Sequence, residues 1–275
     1  MHMHTTASDG TDTPAEMLAR VQKAGITTFA VSDHDTIQGA MAMKELVPEG
    51  MTYIPGIEFS TITPVRQAHI LGYDYDEKDP VFLSAIEHGL ALRRTKLERR
   101  LVYLKDTFDI VFPEDVVEHF RLMESCGKPH LGAELMIMGY GNTLSEAIET
   151  YLAGAPDEND RITSKEAIDA IHHAGGVVIW AHPLGGENVE RFTPERFEAQ
   201  LSFLVDEGID GLECWYGRYD ESDVAFLLKA AKQHHLYVSG GSDDHGTRKS
   251  VHLGQLNTFG RDVNESDITW LESRV

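Results

Sequence analysis

Short β-branched apolar runs alternate along this chain with longer stretches whose apolar residues recur at helical spacing. Thr13-Pro14-Ala15-Glu16 reads as an N-cap, a proline at the first helical position and an acid at the third, and Gly25 closes the amphipathic stretch that follows. The same grammar returns at Thr163 to Glu166, ended by Gly175, and at Thr193-Pro194, ended by Gly208. Each of these stretches leads into an apolar run, and helix followed by strand, repeated, predicts a parallel sheet. Strand candidates lie near 1–3, 27–31, 52–57, 69–72, 177–181, 211–214 and 236–239. About seven strands suit a closed or nearly closed α/β barrel.

The pattern breaks between Tyr75 and Ile162, a span much longer than a βα crossover. Helical spacing there predicts helices over 80–108, 113–120, 130–138 and 145–153. The expected organisation is a barrel from 1–75 and 163–275, with 76–162 as a small helical insertion capping the barrel mouth. The last fifteen or so residues carry little pattern.

The chain has 275 residues, 41% of them hydrophobic, which is ordinary for a globular protein. No run approaches the roughly 18 apolar residues of a membrane span, and the N-terminus lacks a secretory pattern, so a cytoplasmic location is the default expectation. Cys126 and Cys214 have no CxxC spacing, which points to buried hydrophobes and not to a disulfide or thiolate site. A formal charge of −21 repels polyanions unless bound cations or a local basic patch reverse the field, so no stable nucleic-acid complex is expected.

Histidine changes the picture, with 14 copies. Potential metal ligands fall at His2-x-His4, Asp9, His34 within Asp33-His34-Asp35, Glu58, His69, His182 before Pro183, and Asp243-x-His245. Each lies at or just past the C-terminal end of a predicted strand, where loops of a parallel α/β fold converge. Alternate residues of a strand face the same way, so both imidazoles of His2-x-His4 can reach one ion. A lone His-x-His arises easily by chance, and a single buried histidine is more often hydrogen-bonded than ligating. Their joint occurrence at strand ends is harder to obtain, because stability alone favours apolar residues there. Imidazole with carboxylate suits Zn, Mn or Fe.

Taken together, His2-Met3-His4, Ser8-Asp9-Gly10, Ser32-Asp33-His34-Asp35, Gly56-Ile57-Glu58, His69-Ile70-Leu71-Gly72, Ala181-His182-Pro183 and Gly241-Ser242-Asp243-Asp244-His245 resemble the motifs of the polymerase and histidinol phosphatase (PHP) superfamily. The resemblance spans almost the whole chain. It implies a distorted seven-stranded α/β barrel and a centre of three divalent ions, Mn, Fe or Zn. Carried over position by position, it places the first ion among His2, His4, Glu58 and Asp243, the second among Glu58, His69 and His182, and the third among Asp9, His34 and His245. The family usually carries an acid two residues before the first ligand histidine, whereas only Met1 precedes His2 here. The helical insertion and Lys128-Pro129-His130 resemble the small-molecule branch, which includes nucleoside 3',5'-bisphosphate phosphatases and a cyclic ribose-phosphate phosphodiesterase.

The chemistry expected is hydrolysis of a phosphoester in a small phosphorylated metabolite or nucleotide, by hydroxide that bridges two of the ions. Asp33, Asp35 and His130 have the chemistry of a general acid. Arg93, Arg94, Lys96, Arg99 and Arg100 form a basic cluster that reads mostly as a solvated helix face, with at most one or two arginines reaching the substrate. Arg93, Arg94, Lys128, His130 and the loop residue Arg218 are the substrate contacts expected. Competing readings are a 5'-3' exonuclease on short oligonucleotides, a silent PHP binding module, and a metal-dependent amide hydrolase.

Overall fold

The computed structural model describes residues 1–156, 160–186 and 190–274. Its centre is a curled seven-stranded sheet of β1 (Thr28–Val31), β2 (Thr52–Ile62), β3 (Gln67–Tyr73), β4 (Ile162–Thr163), β5 (Val177–Trp180), β6 (Gly211–Tyr216) and β7 (Tyr237–Gly241). The order is β1-β2-β3-β5-β6-β7, with β4 on the far end of β2. This is the distorted α/β barrel expected.

Around the sheet stand α1 (Pro14–Lys23), α2 (Gln38–Lys44), α7 (Ser164–His173), α8 (Pro194–Glu207) and α9 (Glu221–Gln233). The predicted caps are in place. Thr13 and Glu16 form a reciprocal capping box on α1, and Gly208 closes α8 at φ 103°, a conformation that glycine adopts without steric cost. The short α2 has no side-chain cap, the signal by which the others are legible in the sequence.

Two expectations about the sheet are corrected. It is not uniformly parallel, because β3 runs antiparallel to both β2 and β5. Only a tight turn joins β2 to β3, where the Thr63 hydroxyl accepts from the amides of Val65 and Arg66, and a parallel return would need a crossover of a dozen residues or more. The predicted first strand is a bridge, not a strand: Met3 pairs with Asp244 alone. Ser32 donates to the Met3 carbonyl at 2.9 Å, Asp243 to that of His2 at 2.8 Å, and His4 to that of Asp244 at 2.9 Å. The first four residues thereby join the ends of β1 and β7. The seventh strand is instead β4, whose two residues are too few to show a period.

The span after β3 forms α3 (Pro80–Phe108), α4 (Glu114–Leu122), α5 (Lys128–Ile137) and α6 (Leu144–Tyr151). The first half of α3 packs Phe82, Ala85, Ile86 and Leu90 into the barrel core, and from Leu97 onward the helices bury a separate apolar cluster that includes Leu104, Phe112, Phe120, Leu131 and Leu135. Residues 157–159 of the predicted insertion lie outside the described residues.

Candidate metal centre and adjoining cavity

The metal-type residues meet at one rim of the barrel, by three routes. Glu58 lies in mid β2, because β2 continues past the rim into its hairpin with β3. His69 comes from the beginning of β3, not its C-terminal end, because an antiparallel strand brings its N-terminal end to that rim. Asp35, His182 and Asp243 have φ of 55°, 30° and 54°, left-handed values rare outside glycine. Three of the turns that leave the strands at this rim are thus strained, as backbone held for function often is.

Glu58 is the centre of the arrangement and is fully buried. Its Oε2 lies 3.0 Å from His2 Nε2, 3.1 Å from His4 Nε2 and 3.1 Å from His34 Nδ1. Its Oε1 lies 2.8 Å from His69 Nδ1 and 3.1 Å from His182 Nε2. Asp243 Oδ1 sits 3.5 Å from His2 Nε2 and 3.2 Å from His4 Nε2. Asp9 Oδ1 sits 3.2 Å from His245 Nε2 and 3.9 Å from His34 Nε2.

Three sets of ligand atoms are each close enough to share an ion: His2, His4, Glu58 and Asp243; His4, Asp9, His34 and His245; and His34, Glu58 and His69. The first set is the one the resemblance implied. The second adds His4 to the implied set, and the third has His34 where His182 was expected, although His182 stands at hydrogen-bond distance from Glu58.

The residues fit metal ions. Asp9 Oδ1, His34 Nδ1, Glu58 Oε2 and His245 Nε2 are buried without a hydrogen-bond partner, a costly state for polar atoms unless something else satisfies them. Burial pushes the Glu58 carboxyl up, but His34, His2 and His69 outweigh it and hold it well below the ordinary range. Asp9 and Asp243 are likewise held well below theirs against burial, Asp9 by His245 and His34, Asp243 by Lys249 and His2. Burial lowers His34 and His245 from the ordinary histidine value. Burial lowers His2 and His4 too, but Glu58 and Glu213 raise His2 well above the ordinary value and Asp243 and Glu58 raise His4 to about 9, so a divalent cation would bind here by displacing protons from these two rings.

A second layer holds this layer in place, and sequence reasoning missed most of it. Glu213, fully buried in β6, lies 2.9 Å from His2 Nδ1 through Oε1 and accepts from the His182 amide at 2.7 Å through Oε2. Its signal was available: a charged residue in the otherwise apolar run Gly-Leu-Glu-Cys-Trp-Tyr is expensive unless paired. Lys249 reaches Asp243 Oδ2 at 2.7 Å, and Arg20 grips Asp244 with two hydrogen bonds of 2.7 and 2.9 Å.

The general-acid candidates are placed as follows. Asp33 is fully buried and accepts from the Thr5 amide at 2.7 Å, the Thr5 hydroxyl at 2.7 Å and the Ser8 hydroxyl at 2.6 Å, so it holds the loop that carries Asp9. Asp35 accepts from the Ser60 amide at 2.7 Å and from Arg93 at 2.5 Å. His130 is buried, its Nδ1 accepts from the Gly127 amide at 3.0 Å, and burial, with Arg248 nearby, pushes its pKa down to about 4.

Beside the centre opens a cavity with Asp9, His34 and His69 in its wall. Arg93, Lys96, Arg100, Lys128 and Arg161 also line it. Arg93, Lys96 and Arg100 share one face of α3 at helical spacing. Lys96, Arg100 and Arg161 stand outside the expected contact set. Arg94 and Arg218 are not among the lining residues. Arg94, one position along α3, turns to solvent, and Arg218 is exposed with its guanidinium donating to Ser250 at 3.1 Å. His130 stands behind the wall, next to the lining residues Lys128 and Pro129.

The PHP domain pattern matches residues 1–160 of the chain. The 5'-3' exoribonuclease Rnm of Escherichia coli is 28% identical over 93% of this chain and 87% of its own length. A phosphoribosyl 1,2-cyclic phosphate 1,2-diphosphodiesterase of Eggerthella lenta is 28% identical over 92% of the chain and 97% of its own. A 3',5'-nucleoside bisphosphate phosphatase of Chromobacterium violaceum is 25% identical over 97% and 90%. Among solved structures, a metal-dependent phosphoesterase from Bifidobacterium adolescentis superposes with a TM-score of 0.79 at 29% identity, covering 94% of this chain and 91% of that one.

Proposed function

The chain belongs to the PHP domain family of metal-dependent phosphoesterases, and from that premise we propose that it hydrolyses a phosphoester in a nucleotide-like metabolite that carries a second phosphate. The observation that carries this reading is the cavity wall itself: Lys96, Arg100, Lys128 and Arg161 stand in one pocket with His34 and His69. The five cations of this wall, Arg93 included, outnumber its three carboxylates, Asp9, Asp35 and Asp160, so in a chain of charge −21 this is a local excess of positive charge that would draw a dianionic group in and fix it.

In this reading three divalent ions, Mn, Fe or Zn, would be held by His2, His4, Glu58 and Asp243, by Glu58, His69 and His182 with His34, and by Asp9, His34 and His245 with His4. When bound, such ions acidify water and neutralise charge on phosphoryl oxygens. The protein's own contribution is orientation. Glu213 fixes the His2 ring, Asp33 fixes the Asp9 loop, and Arg93 is anchored on Asp35 and Ser60 so that its place in the wall is set. Within the expected insertion of 76–162, the part from Leu97 through α6 acts as the cap beside the barrel mouth, whereas the first half of α3 and Ile162 of β4 belong to the barrel, and α3 and α5 supply cations for the substrate's far end.

Neither Asp33 nor His130 serves as the general acid in this account. Asp33 is enclosed by three donors, and a histidine with a pKa near 4 carries no labile proton at neutral pH. A second reading, 5'-3' exonuclease action on short oligonucleotides, is favoured by the likeness to the E. coli exoribonuclease. The test is phosphate release from a nucleoside 3',5'-bisphosphate compared with the matching nucleoside 3'-monophosphate. A strong preference for the bisphosphate supports the reading. Equal rates would remove the role of the cationic wall.

A further inference from the structure

His69 and Gln67 line two openings, not one. On one side lies the cationic cavity. On the other lies a narrower cleft walled by Arg66, Gln67, His69, His182, Gly186 and Phe192. The two therefore meet over the same edge of the Glu58 centre, and their chemistry differs. The first carries several cations, whereas among the described residues the second carries Arg66 alone, whose guanidinium carbon stands 5.1 Å from the centroid of the Phe192 ring. Arg66 is held there from below, because its Nη1 donates to the Glu190 carbonyl at 2.7 Å. A Cβ at Gly186 would stand 3.6 Å from the His182 ring, so a side chain there would fill the floor of the cleft against that ring.

We infer that this second cleft is a nucleobase subsite, in which the anchored Arg66–Phe192 pair stacks against the base of a second nucleoside joined to the reacting phosphate. Guanidinium planes and aromatic rings are the surfaces on which unpaired bases stack, and such stacking is tolerant of sequence. The inference rests on the proposed nucleotide substrate and extends it. A nucleotide held by its 5'-phosphate in the cationic cavity presents its 3'-phosphate to the centre. Water adds its hydroxyl to phosphorus, the P–O3' bond breaks, and the 3' oxygen leaves with a proton. A bisphosphate and the 5' end of an oligonucleotide undergo the same step and differ only in what the phosphorus carries on its other side. The second cleft is where that other substituent goes, so it decides how far the enzyme accepts diesters as well as monoesters.

The test is binding of a 5'-phosphorylated dinucleotide with 2-aminopurine as its second base and a methylene group in place of the bridging 3' oxygen, which cannot be hydrolysed, to the metal-loaded protein, followed by fluorescence. Quenching on binding is expected for the native protein, with affinity weakened roughly 10-fold in Phe192→Ala and in Arg66→Met and recovered in Phe192→Tyr. Equal quenching and affinity in the native protein and both disruptive variants would overturn the subsite, as would a loss in Phe192→Ala that Phe192→Tyr does not restore. Arg66→Met keeps the test decisive if Phe192→Ala does not fold. Failure of the broader substrate reading would show separately, as absence of phosphate release from the bisphosphate by the metal-loaded native protein.

Discussion

Glu213 stands 2.9 Å from Nδ1 of His2, leaving Nε2 of the same ring facing Glu58 at 3.0 Å. A carboxylate behind a ligand imidazole fixes both its tautomer and its angle. Since Glu213 also receives the His182 amide, one buried side chain orients two histidines on different elements. Glu213→Gln, which preserves shape, is expected to weaken metal binding on the order of 10- to 100-fold in a titration of metal-free protein. Unchanged affinity would show that the ligands need no such support.

Removal of metal should cost stability. Carboxylates and imidazoles packed at about 3 Å with unsatisfied buried atoms form a site that a bound cation stabilises by mass action. At a metal concentration about 100 times Kd this amounts to roughly 2.7 kcal/mol, or a fall in Tm of about 5–10 °C on chelation. Calorimetry with and without EDTA measures it, and identical curves would speak against ligation at this centre.

The cationic wall predicts a split between two substrates. Lys96→Ala or Lys128→Ala should raise KM for a substrate bearing a second phosphate roughly 10- to 100-fold, as loss of a charged hydrogen bond does. The penalty should largely vanish for a substrate that lacks the second phosphate. An equal penalty on both would mean that the lysine acts on the reacting phosphate or on the fold.

His130 predicts a pH effect of definite sign. Burial, aided by Arg248, lowers its folded pKa to about 4, below the unfolded value of about 6.5. Its neutral form is therefore the one the fold accommodates. The associated stability is complete above pH 6.5 and is lost as pH falls from there toward 4, by up to roughly 3 kcal/mol. His130→Gln, which can still accept from the Gly127 amide, should show a flatter loss of Tm over that interval than the native protein. Parallel curves would contradict the assignment.

Much of this was legible in the sequence because it is local. Caps such as Thr13 and terminators such as Gly208 announce helices within a few residues, and the alternate spacing of His2 and His4 aims two rings the same way. What stayed hidden is tertiary. The direction of β3 depends on a turn at Thr63 whose geometry the apolar pattern does not encode. The two residues of β4 carry no period, and the barrel seam is closed by backbone hydrogen bonds to the His2 and Met3 carbonyls and from the His4 amide, which leave no compositional trace. Two arginines of the α3 cluster line the cavity, within the one or two expected, but which cations these are stays hidden, because the face of α3 that bears Arg93, Lys96 and Arg100 can be told from a solvated face only when its neighbours are known. Glu213 had a signal, a charge within an apolar strand, but its partners could not be named without the fold.

In the function proposed above, the Glu58 centre and the cationic wall together hydrolyse a phosphorylated nucleotide. That function is tested most directly by phosphate release from adenosine 3',5'-bisphosphate by the manganese-loaded protein, with His34→Ala alongside. Release by the native protein that His34→Ala abolishes is the predicted result. No release, or release that survives the substitution, would contradict it.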